Sequence, residues 1–352
     1  MKRIKIDGID IGDGCAPYVV AEISANHNGD IEAAKRLIES AKLSGAHAVK
    51  MQTYTPDTIT LNSDKPDFRI NEGLWKGQTL YDLYKEAHTP YEWHAPLFQY
   101  ARDVGITCFS TPFDETAVDL LEDLGAPAYK IASFEAIDLP LIEYVARTKK
   151  PMVISTGMAN EDEIREAVAT AKAAGCEQLI LLHCISAYPA PISQSNLLTI
   201  PDMARQFGCA VGLSDHTEGT LVSSAAVALG ACFIEKHFIM DRSLGGPDSS
   251  FSIEPDELVR LCEDARNTWL SLGKASYERK EAEKQNLKFR RSIYVTQDLK
   301  KGDILTEQNI RRVRPGFGLP PRYYKEILGK TLLRDVGANE PLNKDMIFEF
   351  KE

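Results

Sequence analysis

Two short apolar stretches near the middle of the sequence each end in a histidine. His216 closes the stretch that begins at Leu213, and His237 follows two charged residues a little further on. Two imidazoles that lie close together can share one divalent ion, whose other positions are filled by water or substrate oxygens. A single histidine is more often a hydrogen-bonded core residue, and this is our interpretation of His183. The pattern predicts a metal site at His216 and His237 if the fold brings them together.

Two lysines, Lys50 and Lys130, lie in apolar stretches that also carry hydroxyl side chains. An ammonium group beside Ser and Thr hydroxyls suits phosphate or carboxylate oxygens, so the pattern favours an anionic substrate. A lysine that forms a Schiff base is the alternative, because barrel aldolases also place lysines at strand ends. Glu22 and Glu135 are candidate general acid or base groups, or anchors for sugar hydroxyls.

The elements that must position these residues alternate between short apolar runs and longer amphipathic stretches, as in βα units. Eight strands with helical patterns between most of them favour a (β/α)8 TIM barrel, of the α/β class, over a doubly wound open sheet. The predicted strands cover residues 18–24, 47–53, 106–112, 128–135, 152–157, 179–184, 210–216 and 233–239. Catalytic groups in such barrels lie at the C-terminal ends of the strands.

Strand alternation predicts which side chains share the inner face of the barrel. On the last two strands the inward polar positions are Ser214, His216, Glu235 and His237. Asp215 and Lys236 fall on the outer face, where we expect them to bond to helices or to orient ligands. Lys130 is out of phase with Ser133, so the fourth strand must bulge or end between them.

Two intervals break the repeat. Residues 56–90 form a long insertion after the second strand, which we interpret as a lid or side loop. Residues 276–287 are charged and are typical of a linker. The predicted organisation is therefore a barrel domain over residues 1–275, the linker, and a small β-rich domain over residues 288–352 with turns at KKGD and RPGFG.

Composition excludes several classes of protein. The net charge of −10 argues against general nucleic-acid binding, and no run of apolar residues approaches the length needed to span a membrane. The seven cysteines are scattered without a CxxC pair, and the N-terminal stretch lacks the apolar core of a signal peptide, so we expect a cytoplasmic protein. From residue 285 onward 14 basic residues face 9 acidic ones, against 27 and 42 before it. A basic tail that folds against the acidic body, or against a second copy, explains this asymmetry.

Eight motifs in order resemble the sialic acid synthase family: AEISANHNGD, AVKMQT, CFSTPFD, YKIAS, ISTGM, YPAP, GLSDHTEG and EKHF. The C-terminal segment is similar to the antifreeze-like (SAF) domain that ends those enzymes. The resemblance implies a transferase that condenses phosphoenolpyruvate with an N-acylated amino sugar, forming a nine-carbon 2-keto acid and phosphate. It also implies a divalent metal cation (Mn2+, Mg2+ or Co2+).

The resemblance also carries site residues to this sequence. The phosphoenolpyruvate positions are Lys50, Thr111, Lys130, Ser133, Ser155 and Ser214. The sugar positions are Glu22, Gln52, Glu135, Tyr188 and Asp248. The metal positions are His216 and His237. Arg314 matches an arginine that reaches the partner subunit's barrel, which implies a domain-swapped homodimer. Ser186 stands where the sialic acid enzymes have an asparagine at the phosphate, so the resemblance implies a phosphate contact from a shorter side chain.

Two stretches point to a branch of the family. IASFE places Phe134 where sialic acid synthases usually have a glycine, and WKGQTLYDLYKEAHTP in the insertion resembles the enzymes that make pseudaminic acid. The sugar of that branch is 2,4-diacetamido-2,4,6-trideoxy-beta-L-altropyranose, and a bulky aromatic side chain suits its methyl group. Synthesis of legionaminic or N-acetylneuraminic acid is the alternative within the family. A barrel that only binds sugar is the alternative from another class.

Overall fold

The computed structural model describes residues 3–350, which form two compact units divided between Gly273 and Lys274. The strands in chain order are β1 Ile4–Ile6, β2 Ile9–Ile11, β3 Tyr18–Glu22, β4 Ala48–Thr53, β5 Thr107–Pro112, β6 Tyr129–Ile131, β7 Met152–Ser155, β8 Leu179–Cys184, β9 Ala210–Asp215, β10 Phe233–His237, β11 Ser292–Val295 and β12 Ile310–Val313. No helix within residues 3–350 combines the length and the apolar character needed to cross a membrane.

Most of the helices follow the strands of the first unit. In chain order they are α1 Ile31–Leu43, α2 Pro56–Ile59, α3 Leu80–Ala87, α4 Tyr91–Val104, α5 Glu115–Asp123, α6 Leu139–Ala146, α7 Glu161–Ala173, α8 Thr199–Phe207, α9 Leu221–Ala228, α10 Pro255–Leu272 and α11 Tyr324–Ile327. Several begin at a side chain that caps free backbone N–H groups, as Asp30 does for α1 and Asn160 for α7. Helix α1 buries a face of alanine, leucine and isoleucine side chains, and helix α7 buries a face of alanine and valine side chains.

Strands β3 to β10 are parallel and close into a barrel, because β10 pairs with both β9 and β3. The predicted (β/α)8 TIM barrel is therefore confirmed. Each predicted strand overlaps one strand of the barrel. Strand β6 ends at Ile131 and a 3-10 helix, Ser133–Glu135, follows it. This is the break that the phase of Lys130 and Ser133 predicts.

A hairpin packs against the apolar residues at one end of the barrel. Strands β1 and β2 pair antiparallel, and Ile4, Ile6 and Ile11 pack against barrel residues such as Phe109 and Phe233. These hairpin side chains are at most 2% exposed. The hairpin residues pack with side chains from the N-terminal halves of the strands, so the polar strand ends form the opposite mouth.

The insertion at residues 56–90 contains helices α2 and α3, so it is more than a loop. Thr79 caps α3 by accepting a hydrogen bond from the Asp82 backbone N–H. The ring of Tyr84 on α3 meets Tyr54 at a centroid distance of 5.7 Å. Outside α3, Trp75 Nε1 donates to the Pro247 carbonyl oxygen at 3.0 Å. The insertion is thereby fixed over the polar mouth of the barrel.

The second unit is small and has its own apolar core. Strands β11 and β12 pair antiparallel, and buried residues such as Ile293, Leu305 and Ile327 pack together. The predicted KKGD turn is present, because Lys300 N–H donates to the Asp303 carboxylate at 2.7 Å. Part of the predicted linker, 276–287, is ordered as a 3-10 helix over Glu281–Phe289.

Candidate active site

Strand register brings the polar residues of the predicted site to one level. Glu22 on β3 lies between His237 on β10 and Lys50 on β4. On β10 and its other neighbour, β9, Glu235 lies beside Ser214. Because the ring of strands is closed, residues far apart in sequence meet inside this mouth.

Four charged side chains meet there and are almost completely buried: Glu22, Lys50, Lys130 and Glu235, none more than 4% exposed. Lys50 Nζ contacts the Glu22 carboxylate directly. Glu235 Oε1 accepts from Lys130 Nζ at 3.1 Å and lies 3.9 Å from Lys50 Nζ. Buried ion pairs carry a large desolvation cost and add little net stability, so packing alone does not account for two of them side by side.

The charges set the protonation of the carboxyl groups. Burial raises the pKa of Glu22 to about 7, although the Lys50 charge opposes the shift. Burial also acts to raise the pKa of Glu235, but Lys130 and Lys50 outweigh it and hold that pKa below its ordinary value. Near neutral pH the cluster can therefore lose one negative charge at Glu22 when an anionic ligand arrives.

Hydroxyl groups surround the two lysines. Thr111 Oγ1 accepts from Lys50 Nζ at 3.0 Å, and Ser214 Oγ donates to Glu235 Oε1 at 3.2 Å. At the end of β7, Ser155 Oγ is buried and has no hydrogen-bond partner within residues 3–350. An unsatisfied buried hydroxyl costs about 1–3 kcal/mol, which a phosphate or carboxylate oxygen could recover.

Gly157, which follows β7, leaves room for two more hydroxyls. A Cβ atom at this position would overlap Ser186 Oγ and would lie 2.7 Å from Ser133 Oγ and 3.1 Å from Ser133 Cβ. The loops after β6, β7 and β8 therefore converge on one small space that carries two hydroxyl groups. Ser186 belongs to this group, although a serine reaches less far than an asparagine.

A Gly157→Ala variant is expected to raise the KM for phosphoenolpyruvate by about 10- to 100-fold. The added methyl group forces Ser133 and Ser186 to turn away, and a hydrogen bond to a charged group is worth about 1.5–3 kcal/mol. Steady-state phosphate release measures this change, and thermal unfolding should show that the fold persists. An unchanged KM for phosphoenolpyruvate would remove these hydroxyls from the phosphate site.

The two predicted metal ligands, His216 and His237, are neighbours in the structure. The ring centroids of His216 and His237 lie 5.4 Å apart. Tyr188 packs on His216 at 4.4 Å, and Phe251 packs on His237 at 5.0 Å. Burial, together with the nearby positive groups of His216 and the lysines, lowers the pKa of His237 well below its ordinary value, so the imidazole is neutral.

The free nitrogen atoms fit a divalent ion. His216 Nδ1 donates to the Ile185 carbonyl oxygen at 3.0 Å, so a metal ion would bind the other ring nitrogen, Nε2, and displace its proton. His237 Nδ1 is buried without a hydrogen-bond partner among residues 3–350, and Asp248 Oδ2 lies 3.7 Å away. Within that range no cluster of three or more His, Cys, Asp or Glu side chains is arranged to hold a metal. An ion bound by the two imidazoles would therefore take further ligands from water or substrate.

A cavity of about 220 Å³ opens beside the histidines. The predicted residues that line it are Gln52, Phe134, Glu135, Tyr188, His237 and Asp248. Gln52 Nε2 donates to Ser24 Oγ at 2.9 Å, and Ser24 Oγ donates in turn to Asp248. This chain of polar groups suits the hydroxyl and amide groups of a sugar.

Two further residues of the cavity differ in character. Glu135 Oε2 is buried without a hydrogen-bond partner in residues 3–350, and burial raises the pKa of Glu135 to about 7. A carboxylate with this pKa can accept or give a proton near neutral pH. Phe134 is 55% exposed and borders the cavity, so it does not point into the barrel wall.

Other predicted residues lie outside this cavity. His183 Nε2 bonds to the Ser195 carbonyl oxygen at 2.6 Å, which confirms its interpretation as a core histidine. Lys236 pairs with Asp215 at 2.9 Å, and Asp215 accepts from Ser223 on α9 at 2.6 Å, as predicted for the outer face. Arg314 follows β12 in the second unit, and its role towards a partner's barrel stays a prediction.

Sequence reasoning assigned no role to three residues of the site. Glu235 was predicted only to face inward, and in the structure its carboxylate forms ion pairs with both Lys50 and Lys130. Ser24, in phase with Glu22, links Gln52 to Asp248, and Gly157 provides the space described above. The strand phase could have found Ser24, whereas the pairing of Glu235 and the space at Gly157 depend on how distant segments meet.

The closed parallel barrel, with two buried lysines beside a cavity lined by polar groups, is the architecture of a barrel enzyme. The chain belongs to the NeuB family, whose model matches residues 37–277, and residues 290–347 match the SAF domain. The chain is 46% identical to the pseudaminic acid synthase of Helicobacter pylori, over 94% of this chain and 98% of that protein. It is 45% identical to the pseudaminic acid synthase of Campylobacter jejuni, over 93% of this chain and 95% of that protein.

A solved structure has the same fold. The N-acetylneuraminic acid (sialic acid) synthetase of Leptospira borgpetersenii, crystallised in complex with citrate, matches with a TM-score of 0.73 and 30% identity. The match covers 82% of this chain and 96% of that one.

Proposed function

We propose that this protein condenses phosphoenolpyruvate with 2,4-diacetamido-2,4,6-trideoxy-beta-L-altropyranose and water, giving pseudaminic acid and phosphate. One observation carries the proposal: two buried lysines, Lys50 and Lys130, lie at the same barrel mouth as the adjacent imidazoles of His216 and His237. This arrangement offers an anion site and a metal site to two substrates at once. The seven free cysteines suit a reducing compartment, and we place the reaction in the cytoplasm.

The residues divide into two groups with different tasks. Lys50, Lys130 and the hydroxyls of the neighbouring strand ends hold the phosphate and carboxylate of phosphoenolpyruvate. Gln52 and Asp248 bind the sugar and orient its aldehyde carbon towards C3 of phosphoenolpyruvate. A divalent ion held by His216 and His237 would supply Lewis acidity to the sugar aldehyde.

The reaction balances with one molecule of water. The C2–C3 π electron pair of phosphoenolpyruvate attacks the aldehyde carbon of the open-chain sugar, forming the new C–C bond and leaving positive charge at C2, while the aldehyde oxygen takes up a proton and becomes a hydroxyl group. Water adds at C2 and gives up a proton to Glu135, whose pKa of about 7 suits it to this role. The bond between C2 and the bridging oxygen then breaks while the new C2 hydroxyl loses its proton. The bridging oxygen therefore departs with phosphate, and C2 becomes a ketone.

The branch within the family rests on two observations. The relatives that make pseudaminic acid are 45% and 46% identical to this chain, against 30% for the sialic acid synthetase. Phe134 borders the cavity beside the sugar-binding residues, where a methyl group fits better than a hydroxymethyl group. Legionaminic and N-acetylneuraminic acid synthesis are the alternatives.

The alternatives from other classes are less compatible with the site. A Schiff base requires a neutral amine, and Lys50 is paired with the Glu22 carboxylate. Burial lowers the pKa of Lys130 although Glu235 opposes the shift, so Lys130 is the lysine on which the borohydride test below bears. Burial acts to lower the pKa of Lys50, but the Glu22 and Glu235 carboxylates outweigh it and raise that pKa. A barrel that only binds sugar has no use for two buried cations and an unpaired Glu135 oxygen.

A panel of sugars tests the proposed function. Phosphate release from phosphoenolpyruvate should be fastest with the diacetamido-trideoxy-altrose and much slower with N-acetylmannosamine. Borohydride should trap no lysine adduct with pyruvate. No phosphate release with any acetamido sugar in the panel would reject the synthase, and release only with N-acetylmannosamine would reject the branch.

We also propose a homodimer in which the SAF domain of one chain caps the barrel of the other and Arg314 reaches its substrate. The charge asymmetry supports this arrangement, because the basic C-terminal segment complements the acidic remainder of the chain. An arginine is suited to bind a carboxylate or a sugar oxygen with two parallel hydrogen bonds.

Mixed dimers should recover activity from two inactive variants. Arg314→Ala removes the capping arginine and Lys130→Met disables the barrel, so each pure variant is expected to be nearly inactive. In a mixed dimer, the intact barrel of the first chain receives the intact arginine of the second, which restores one of two sites. Absence of recovery after the subunits are exchanged would show that Arg314 does not act on the partner.

A further inference from the structure

The cavity beside the histidines has two unlike sides. Its polar side carries Ser24, Gln52, Glu135, His237 and Asp248. Its other side is largely apolar: Ile59, Leu83, Ala87, Phe113 and Phe134, together with the rings of Tyr54, Tyr84 and Trp75. Most of this second group comes from the insertion rather than from the barrel strands. We call Ile59, Leu83, Ala87, Phe113 and Phe134 the apolar wall.

The apolar wall is held in place by specific contacts. Leu83 on α3 is only 7% exposed, although it belongs to an insertion outside the barrel. Tyr54 meets Phe113 at a ring distance of 5.1 Å and Tyr84 at 5.7 Å, which joins the insertion to the ends of β4 and β5. Trp75 is tied by its indole N–H to Pro247. These contacts hold Leu83 and Phe113 against the cavity.

The five side chains of the apolar wall carry no hydrogen-bonding group, and the hydroxyl groups on this side of the cavity belong to Tyr54 and Tyr84 beside the wall. The side chains of Ile59, Leu83, Ala87 and Phe113 have no donor or acceptor, so a hydroxymethyl group placed against them would lose its hydrogen bonds to water. A methyl group there would instead gain from leaving water. The polar side of the cavity already provides hydrogen-bonding groups for the oxygens and amides of the ligand. The polar groups of the sugar therefore face this side, and its methyl groups face the apolar wall.

We propose that the apolar wall determines sugar specificity by receiving the C6 methyl group and a neighbouring acetamido methyl group of the acceptor sugar. This inference rests on the proposed function and extends it to the insertion, whose residues touch no reacting atom. Leu83 and Ala87 on α3 are then specificity-determining residues. A pocket of this kind changes the preference between sugars that differ by one small group by about 10- to 200-fold.

A competition experiment with two sugars that differ only at C6 tests the wall. The natural 6-deoxy sugar and its counterpart with a C6 hydroxyl are supplied together to the full-length protein, and the product ratio gives the ratio of their kcat/KM values. Leu83→Gln introduces a hydrogen-bonding group, and its preference for the 6-deoxy sugar is expected to fall about tenfold. Ala87→Ser is a milder change for which a smaller fall in the same direction is expected. Leu61→Gln is the matched control, because Leu61 belongs to the same insertion, is 68% exposed and does not line the cavity.

The outcomes separate this inference from the proposed function. Wild-type protein that releases no phosphate with either sugar would reject the proposed function. An active wild type, combined with an unchanged product ratio in both Leu83→Gln and Ala87→Ser, would reject the wall alone. Equal losses with both sugars and a lowered melting temperature would likewise reject it, because they show a purely structural role. A product ratio that shifts in the two wall variants and not in Leu61→Gln supports it.

Discussion

A Lys130→Met variant is expected to lose on the order of a thousandfold in kcat/KM for phosphoenolpyruvate. Truncating one partner of a buried, hydrogen-bonded charge pair between a protein and its ligand costs about 2–5 kcal/mol, because the other charge is left buried and unpaired. The Lys130→Met variant would leave two negative groups without their cationic partner: Glu235, which accepts from Lys130 Nζ at 3.1 Å, and the anionic substrate. Titration calorimetry with phosphoenolpyruvate and steady-state phosphate release measure the two effects.

Lys236→Met provides the matched control. Lys236 is also a buried barrel lysine paired with a carboxylate, Asp215, at 2.9 Å, but it faces outward. Both variants should therefore unfold at lower temperature, and only Lys130→Met should lose affinity for phosphoenolpyruvate. Equal affinities in the two variants would show that Lys130 has a structural role alone.

Replacing His237 by alanine is expected to abolish stoichiometric metal binding and to lower kcat by at least a hundredfold. The imidazole is neutral and its Nδ1 is buried without a partner among residues 3–350, so it is available as a ligand. Lewis-acid polarisation of a carbonyl is worth several kcal/mol, which accounts for the size of the loss. Metal content after dialysis, together with activity against added metal, gives the measurement.

His183→Asn is the control for this variant. His183 is buried in the same barrel, but its Nε2 is bonded to the Ser195 carbonyl oxygen. Asparagine retains a donor, so we expect some loss of stability and an unchanged metal content. If His237→Ala kept the metal requirement of the wild type, its assignment as a ligand would be wrong.

The barrel and most of its inner rim could be predicted because strand alternation has a fixed period of two residues. One phase conflict, between Lys130 and Ser133, was enough to predict where β6 ends. The same alternation placed His216 and His237 on inner faces of neighbouring strands. These features depend on local order along the chain and on barrel closure, both of which the sequence displays.

Other features depend on contacts between distant segments. The pairing of Glu235 with both lysines arises only when β10 lies across from β4 and β6, so a rim glutamate could not be singled out. The hairpin β1–β2 packs against the apolar residues at one end of the barrel, although its short strands show no long apolar run. The insertion holds α3, whose buried face is a single leucine, Leu83, too little to stand out as a helical pattern.

The fate of the oxygen that bridges carbon and phosphorus in phosphoenolpyruvate distinguishes cleavage of the C–O bond from cleavage of the P–O bond. With 18O at that position, all of the label is expected in inorganic phosphate, because the C–O bond breaks after water has added at C2. Label in the keto group of the sugar acid would instead mean cleavage of the P–O bond, and the proposed roles of Lys50, Lys130 and Glu135 would then be wrong.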